Sequence, residues 1–173
     1  VIVRSKVLLE VINESHGWNQ KIFKTLAEDA ISSTLLYLNY DPGIFEAAIL
    51  ICDDKKISEL NHEFCDKRKT TNILSWPEKD LSTKISGEMP FRVSISNQSI
   101  IFLGNMAVSY QFTMAEAKEQ GKNFYDHVHH LLVHGTLHLL GFVHDLELDA
   151  KIMEKIEVEI LAKALISDPY GWK

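Results

Sequence analysis

His134, His138 and His144 fall in the stretch HGTLHLLGFVH, residues 134–144, of a chain with 8 histidines among 173 residues. Imidazoles four residues apart on a helix share one face, one turn apart, and can reach one ion at roughly 2.0–2.1 Å. Gly141 stands where a left-handed glycine ends a helix and turns the chain back, which would swing His144 toward the same ion. Three protein ligands leave a coordination position open, the arrangement of catalytic zinc, whose bound water loses a proton near neutral pH. The residues thus predict one zinc ion per chain on His134, His138 and His144. The competing reading, histidines of the core or of a helix cap, is weakened by the glycine at the bend and the apolar residues between the histidines. His130, one turn before His134, is expected behind the ligands as a buried or supporting residue.

The spacing HxxxHxxGxxH is shared with metzincin proteases, whose motif has a glutamate directly after the first histidine as general base. Here that residue is Gly135, which relays no proton, so a zinc peptidase is a minor alternative. The dense cationic run of the chain is Lys67, Arg68 and Lys69 in DKRKTT, with Lys55 and Lys56 upstream. By itself such a run is either a solvated loop or a phosphate contact. The formal net charge of -6 argues against a broad surface that coats nucleic acid and leaves room for a local basic pocket.

A scaffold has to position these groups. With 46% hydrophobic and 24% charged residues, the chain predicts one globular domain, residues 1–173, with a real core. Near-alternation of Ile2, Val7, Leu9 and Val11 predicts a strand over residues 2–12. Ile22, Leu26, Ala30 and Leu35 recur at helical spacing from Gly17 to Leu38, and NYDPG stops them. FEAAILIC reads as a buried strand, DDKKISELNHEF as a helix, and TNILSW as a strand closed by Pro77. Residues 78–99 lack periodicity and predict a long exposed loop. IIFLGNMAVS reads as a central strand interrupted by Gly104. Three helices follow, in MAEAKEQG, in NFYDHVHHLLVHGTLHLLG and over residues 148–165; the middle one is apolar around much of its circumference and is expected to be buried. The fold class is α+β (mixed α/β): a small, mostly parallel sheet of about four strands packed with about five helices, the metal site on the central helix.

The N-terminal stretch carries charges where a signal peptide has its apolar core, and no run is long enough for a membrane span. Cys52 and Cys65 lack metal or redox spacing and read as free thiols in apolar surroundings. A cytoplasmic protein without membrane contact is expected.

The stretch HGTLHLLGFVHD resembles the HGxLHLxGYDH signature of the YbeY family, bacterial endoribonucleases of ribosomal RNA maturation. LNHEF followed by TNILSWP is similar to the family's LN…TNVLSFP segment, IFLGNMAVS to its LGDI strand, and AKEQGKNFYDHVHHLLVHG and MEKIEVEIL also fit, so the similarity runs from about residue 45 to about residue 162. The resemblance implies zinc on His134, His138 and His144, cleavage of single-stranded RNA, small-subunit ribosomal RNA end processing and ribosome quality control, with ribosomal RNA and the small subunit as partners and no DNA. Four positions depart from the pattern: Cys65 replaces an arginine regarded as important for activity, Asn105 an aspartate, and Phe142-Val143 a Tyr-Asp pair. Arg68 is the candidate catalytic replacement, a cation to stabilise charge at a phosphate, with Lys67 and Lys69 as substrate-binding residues; surface cations are the alternative. Asp145 and Glu88 are the acidic residues expected near the metal, and Asn72 and Ser75 either present polar groups beside it or cap a strand end. Phe64 and Trp76 are available for base stacking, although core packing is the first expectation for both. Loss of the arginine gives weight to a rival class, a zinc-stabilised ribosome assembly factor without hydrolytic activity.

Overall fold

The computed structural model describes residues 5–96 and 99–171. Its strands are β1 (Leu8–Asn13), β2 (Phe45–Cys52), β3 (Ile73–Pro77) and β4 (Ile101–Ser109), in the sheet order β1-β2-β4-β3. β1, β2 and β4 run parallel, and β3 pairs antiparallel with β4 at the edge. The helices are α1 (Gln20–Tyr37), α2 (Asp54–Cys65), α3 (Tyr110–Glu119), α4 (Phe124–Leu139) and α5 (Glu147–Lys163). This is the mostly parallel α+β arrangement that the sequence predicts.

Side-chain alternation along the strands gives the sheet two unlike faces. Phe45, Ala47, Ile49 and Ile51 of β2, with Met106 and Val108 of β4, join one core with Phe23, Ala27, Ile31 and Leu35 of α1 and Val128, Leu132 and Leu137 of α4. The opposite face is covered less completely: Cys52, Ala107 and Ile57 of α2 form a small second cluster with Leu50, Leu60, Leu74 and Trp76. α4 is therefore the buried helix against which the rest of the centre is assembled.

Capping side chains set the helix starts. Asn19 accepts from the N–H groups of Lys21 and Ile22, Asp53 from Lys56, and Asn123 from Tyr125 and Asp126, satisfying donors that a helix cannot pair internally. β1 begins later than the alternation suggests, because its span is fixed by pairing with β2 from Leu8 opposite Glu46 to Asn13 opposite Ile51; residues 1–4 of the expected strand lie outside the described residues. Residues 78–96 and 99 form no helix or strand, as expected, and the strand read from Ile100 begins at Ile101; yet the loop is not simply exposed. Phe91 N–H donates to Leu81 O, Gly87 N–H to Asp149, and Val93 N–H to the Tyr40 hydroxyl, while the Arg92 guanidinium lies 4.2 Å from the Tyr40 ring centre.

Candidate metal centre

Helical repeat places His130, His134 and His138 on one face of α4, and the end of that helix delivers His144 to them. Gly141 has φ +91°; its N–H donates to His138 O, and Phe142 N–H donates to Leu137 O. This pair of bonds is a Schellman turn, which closes the last helical carbonyls and reverses the chain. His144 thereby comes within 5.2 Å of His134 and 4.9 Å of His138, ring centre to ring centre, and those two rings are 4.6 Å apart. One ligand atom from each of the three lies within 4.8 Å of the others.

The hydrogen bonds around the rings decide which nitrogen each presents. His138 Nδ1 is 2.8 Å from Phe142 O, and a carbonyl only accepts, so Nδ1 carries the hydrogen. His134 Nδ1 is 2.6 Å from Glu157 Oε1, so it donates to the carboxylate. Burial raises the Glu157 pKa, but hydrogen bonds from His130 and His134 and their charge outweigh it and hold the group at about 2, fully ionised. Burial, reinforced by His134, pushes His138 down to about 4, so it is neutral near pH 7. With both Nδ1 atoms bonded elsewhere, Nε2 is the nitrogen that each ring turns toward the other, and the two stand 3.0 Å apart. His138 Nε2 is an acceptor there, and a proton or a metal ion between the rings satisfies it. Tetrahedral bonds of the length zinc makes to imidazole put two nitrogens about 3.3 Å apart, so the donor set fits such an ion.

Glu157 is the residue that sequence reasoning missed. It is 0% exposed on α5, and its second oxygen, Oε2, accepts from His130 Nε2 at 3.0 Å and from the Tyr170 hydroxyl. His130 is thus a supporting residue, as anticipated. Burial and the adjacent carboxylate push the Tyr170 phenol well above its ordinary pKa, so it is a donor. A signal for Glu157 was present: it sits in the apolar stripe Met153, Ile156, Ile160, Leu161, and a charge in such a stripe is a buried charge that needs partners. Tyr170 left none, because it lies in the irregular segment after α5.

His134, His144, Ala150, Met153, Glu154, Glu157 and Tyr170 enclose a cavity of about 260 Å³. Glu154 and Glu157 are the carboxylates of its wall, and Glu88, expected near the metal, is not among them. Asp145 is exposed, and Glu88 lines a separate hollow with Gly141, Phe142 and Val143. Gly135 packs against the sheet; a β-carbon there would lie 2.7 Å from Met106 Sδ and 2.9 Å from Ile73 Cδ1. A glutamate at this position has no room and does not face the metal ligands.

Lys67, Arg68 and Lys69 are on the exposed connection between α2 and β3, outside the cavity wall. Arg68 Nη2 is 3.4 Å from His62 Nε2. Asn72 acts as the strand cap: its Oδ1 accepts from Ile73 N–H, and its Nδ2 donates to Glu116, which also bonds His127 at 2.7 Å. Phe64 is not a core residue; it is 59% exposed and packs edge-on against the half-buried Trp76 at 5.2 Å. Both line an apolar groove with Leu60 and Asn105 on the sheet face away from α4, so the Asn105 departure is remote from the histidines. Cys65 is likewise exposed at the end of α2 and free, not in apolar surroundings.

The family described as Endoribonuclease YbeY matches residues 9–165. A protein named Endoribonuclease YbeY from Ruegeria sp. (strain TM1040) is 43% identical over 164 residues, 95% of this chain and 96% of that protein. One of the same name from Dinoroseobacter shibae is 40% identical over 166 residues, 96% of this chain and 92% of that protein. A Thermotoga maritima protein solved in solution shares the fold, with a TM-score of 0.53 at 18% identity over 94% of this chain and 99% of that one. Matched by the family over almost all of its described length and by relatives of the same name throughout, the chain belongs to the YbeY endoribonuclease family.

Proposed function

We propose that this chain acts as one domain, a zinc-dependent, single-strand-specific endoribonuclease that matures the ends of small-subunit ribosomal RNA and serves ribosome quality control in the cytoplasm. The observation that carries the reading is the convergence of the His134 and His138 Nε2 atoms beside His144, in a chain of an endoribonuclease family. Zinc on His134, His138 and His144 supplies Lewis acidity toward a phosphodiester. Glu157 fixes the His134 ring, and Phe142 O fixes that of His138. Glu154, half-buried in the same cavity, is the carboxylate able to take up a proton there. Arg68 neutralises charge on the phosphate, and Lys67 and Lys69 hold the flanking backbone, as cations do on single strands. A local basic run on a chain of net charge -6 favours RNA held along one path over broad coating of nucleic acid, DNA included. Among the described residues no helix is long and apolar enough to cross a membrane.

Metal content after purification without added metal, paired with cleavage of a structured ribosomal RNA fragment by the wild type and by His138→Ala, tests this. Near-stoichiometric zinc with cleavage lost in the variant supports it; protein without bound metal overturns it. One observation favours a second reading, an assembly factor without hydrolytic activity: Cys65 stands where the family pattern has arginine. Zinc without cleavage above the variant selects that reading. A peptidase is disfavoured by the packing of Gly135 against Met106.

A further inference from the structure

After α5 the chain turns at Leu165, which has φ +60°, and runs back along the helix. Ile166 N–H donates to Leu161 O, and Ile166 packs on the main core. Tyr170 N–H donates to Asp168 Oδ1 at 2.8 Å, a turn that aims the phenol at the cavity. The ring stands edge-on to His130 at 5.6 Å with an interplanar angle of 87°, and the hydroxyl bonds Glu157 and lies 3.3 Å from His130 Nε2. No other residue described after α5 lines this cavity.

We propose that Tyr170 is a positioning residue for the metal centre, its hydroxyl fixing the Glu157 carboxylate so that Glu157 in turn fixes His134. The proposal rests on the reading that His134, His138 and His144 bind a metal. Glu157 is 0% exposed, so solvent cannot hold its carboxylate in place. Oε1 accepts from His134, and Oε2 accepts from His130 and Tyr170. A carboxylate plane is set by its two ends together. Without the phenol, Oε2 keeps a single donor, the plane turns more freely about its last carbon bond, and Oε1 no longer holds His134 Nδ1 in one direction. The ring then samples orientations in which Nε2 points away from His138 and His144. Loss of a group that holds a ligating histidine typically weakens metal binding about 10- to 100-fold.

Tyr170→Phe keeps the ring, its packing on His130 and the cavity wall, and removes only the hydroxyl. Zinc affinity of the full chain is measured by competition with a chromophoric chelator for wild type, Tyr170→Phe, Glu157→Gln and the double variant. Tyr170→Phe is expected to bind zinc about 10-fold more weakly, Glu157→Gln at least as weakly, and the double variant no worse than Glu157→Gln, because both changes break one linkage. Wild-type affinity in Tyr170→Phe, or losses that multiply in the double variant, overturns the proposal. The metal-free protein gives an independent readout: the His134 Nδ1–H proton is expected as a slowly exchanging resonance in wild type and as a broadened, faster-exchanging one in Tyr170→Phe. An unchanged proton overturns the positioning role even if zinc affinity falls. A wild type that binds no zinc sinks the metal reading itself, an outcome distinct from zinc bound equally by both proteins.

Discussion

Gly135 and Met106 meet so closely that a β-carbon on the helix would stand 2.7 Å from the methionine sulfur, with Ser75 Oγ at 3.0 Å on another side. The absent side chain is what lets α4 lie down on β3 and β4 with His134 facing the other way. Gly135→Ala gains intrinsic helix propensity but overpacks this contact, and the net loss should be about 1–3 kcal/mol. Urea unfolding of the metal-free protein measures it; an alanine variant as stable as wild type would mean that α4 shifts freely on the sheet.

At Gly141 two costs coincide. The backbone has φ +91°, and a β-carbon would lie 2.6 Å from the carbonyl carbon of Leu81, a backbone atom that cannot swing aside. Gly141→Ala should therefore lose about 2 kcal/mol or more. It should also weaken zinc binding, since Phe142 O and His144 both follow the turn. Zinc titration at a temperature where the variant is folded separates the two effects.

Acid should destabilise the protein through two groups. His138 is held at about 4 against an ordinary 6.5. Between those values the unfolded chain binds a proton that the native one does not, so stability is full above 6.5 and falls as pH drops toward 4. Glu157 is held at about 2 against an ordinary 4.5, so its ionised form stabilises the fold above 4.5 and that contribution is lost between 4.5 and 2. Urea midpoints of the metal-free protein from pH 7 to pH 3 should decline throughout, and His138→Ala should flatten the upper limb. Midpoints independent of pH would contradict the arrangement of both groups.

Glu157→Ala removes both accepting oxygens and leaves three half-buried donors, on His130, His134 and Tyr170, without them. The expected cost is about 2–4 kcal/mol. Glu157→Gln, which keeps an oxygen and the volume, should cost less while still weakening zinc binding. Thermal unfolding with and without zinc distinguishes them.

Replacing Lys67, Arg68 and Lys69 together by alanine should leave zinc affinity and stability unchanged, because all three side chains are exposed and lie outside the cavity. If they contact phosphates, RNA affinity falls and the slope of log affinity against log salt shrinks by about 0.7 per lost contact on a single strand. An unchanged slope would leave them as surface cations.

Much of this architecture can be read from periodicity. FEAAILIC alternates buried and half-buried residues from Phe45 to Ile51, and most of the buried positions of α4 are apolar. The three histidines were legible because helical repeat and one glycine suffice to bring them together. What escaped depends on contacts distant in the chain. The start of β1 is set by its neighbour's register, and the side of β4 on which Asn105 lies follows from the register shift opposite Glu46 and Ala48, where Gly104 has φ +138°. Glu157 and Tyr170 act at 23 and 13 residues' separation from His134 and Glu157 respectively, beyond any local pattern.

Every group that meets the cavity lies between residues 134 and 170, whereas the last strand of the sheet ends at Ser109. Synthesis proceeds from the N-terminus, and folding follows it in that direction. All four strands, α1 and α2 therefore leave the ribosome before a single ligand does, and Tyr170 arrives after the rest of the centre. A nascent chain halted after Ser109 but before Tyr170 carries every strand of the sheet and lacks the phenol that completes the cavity wall.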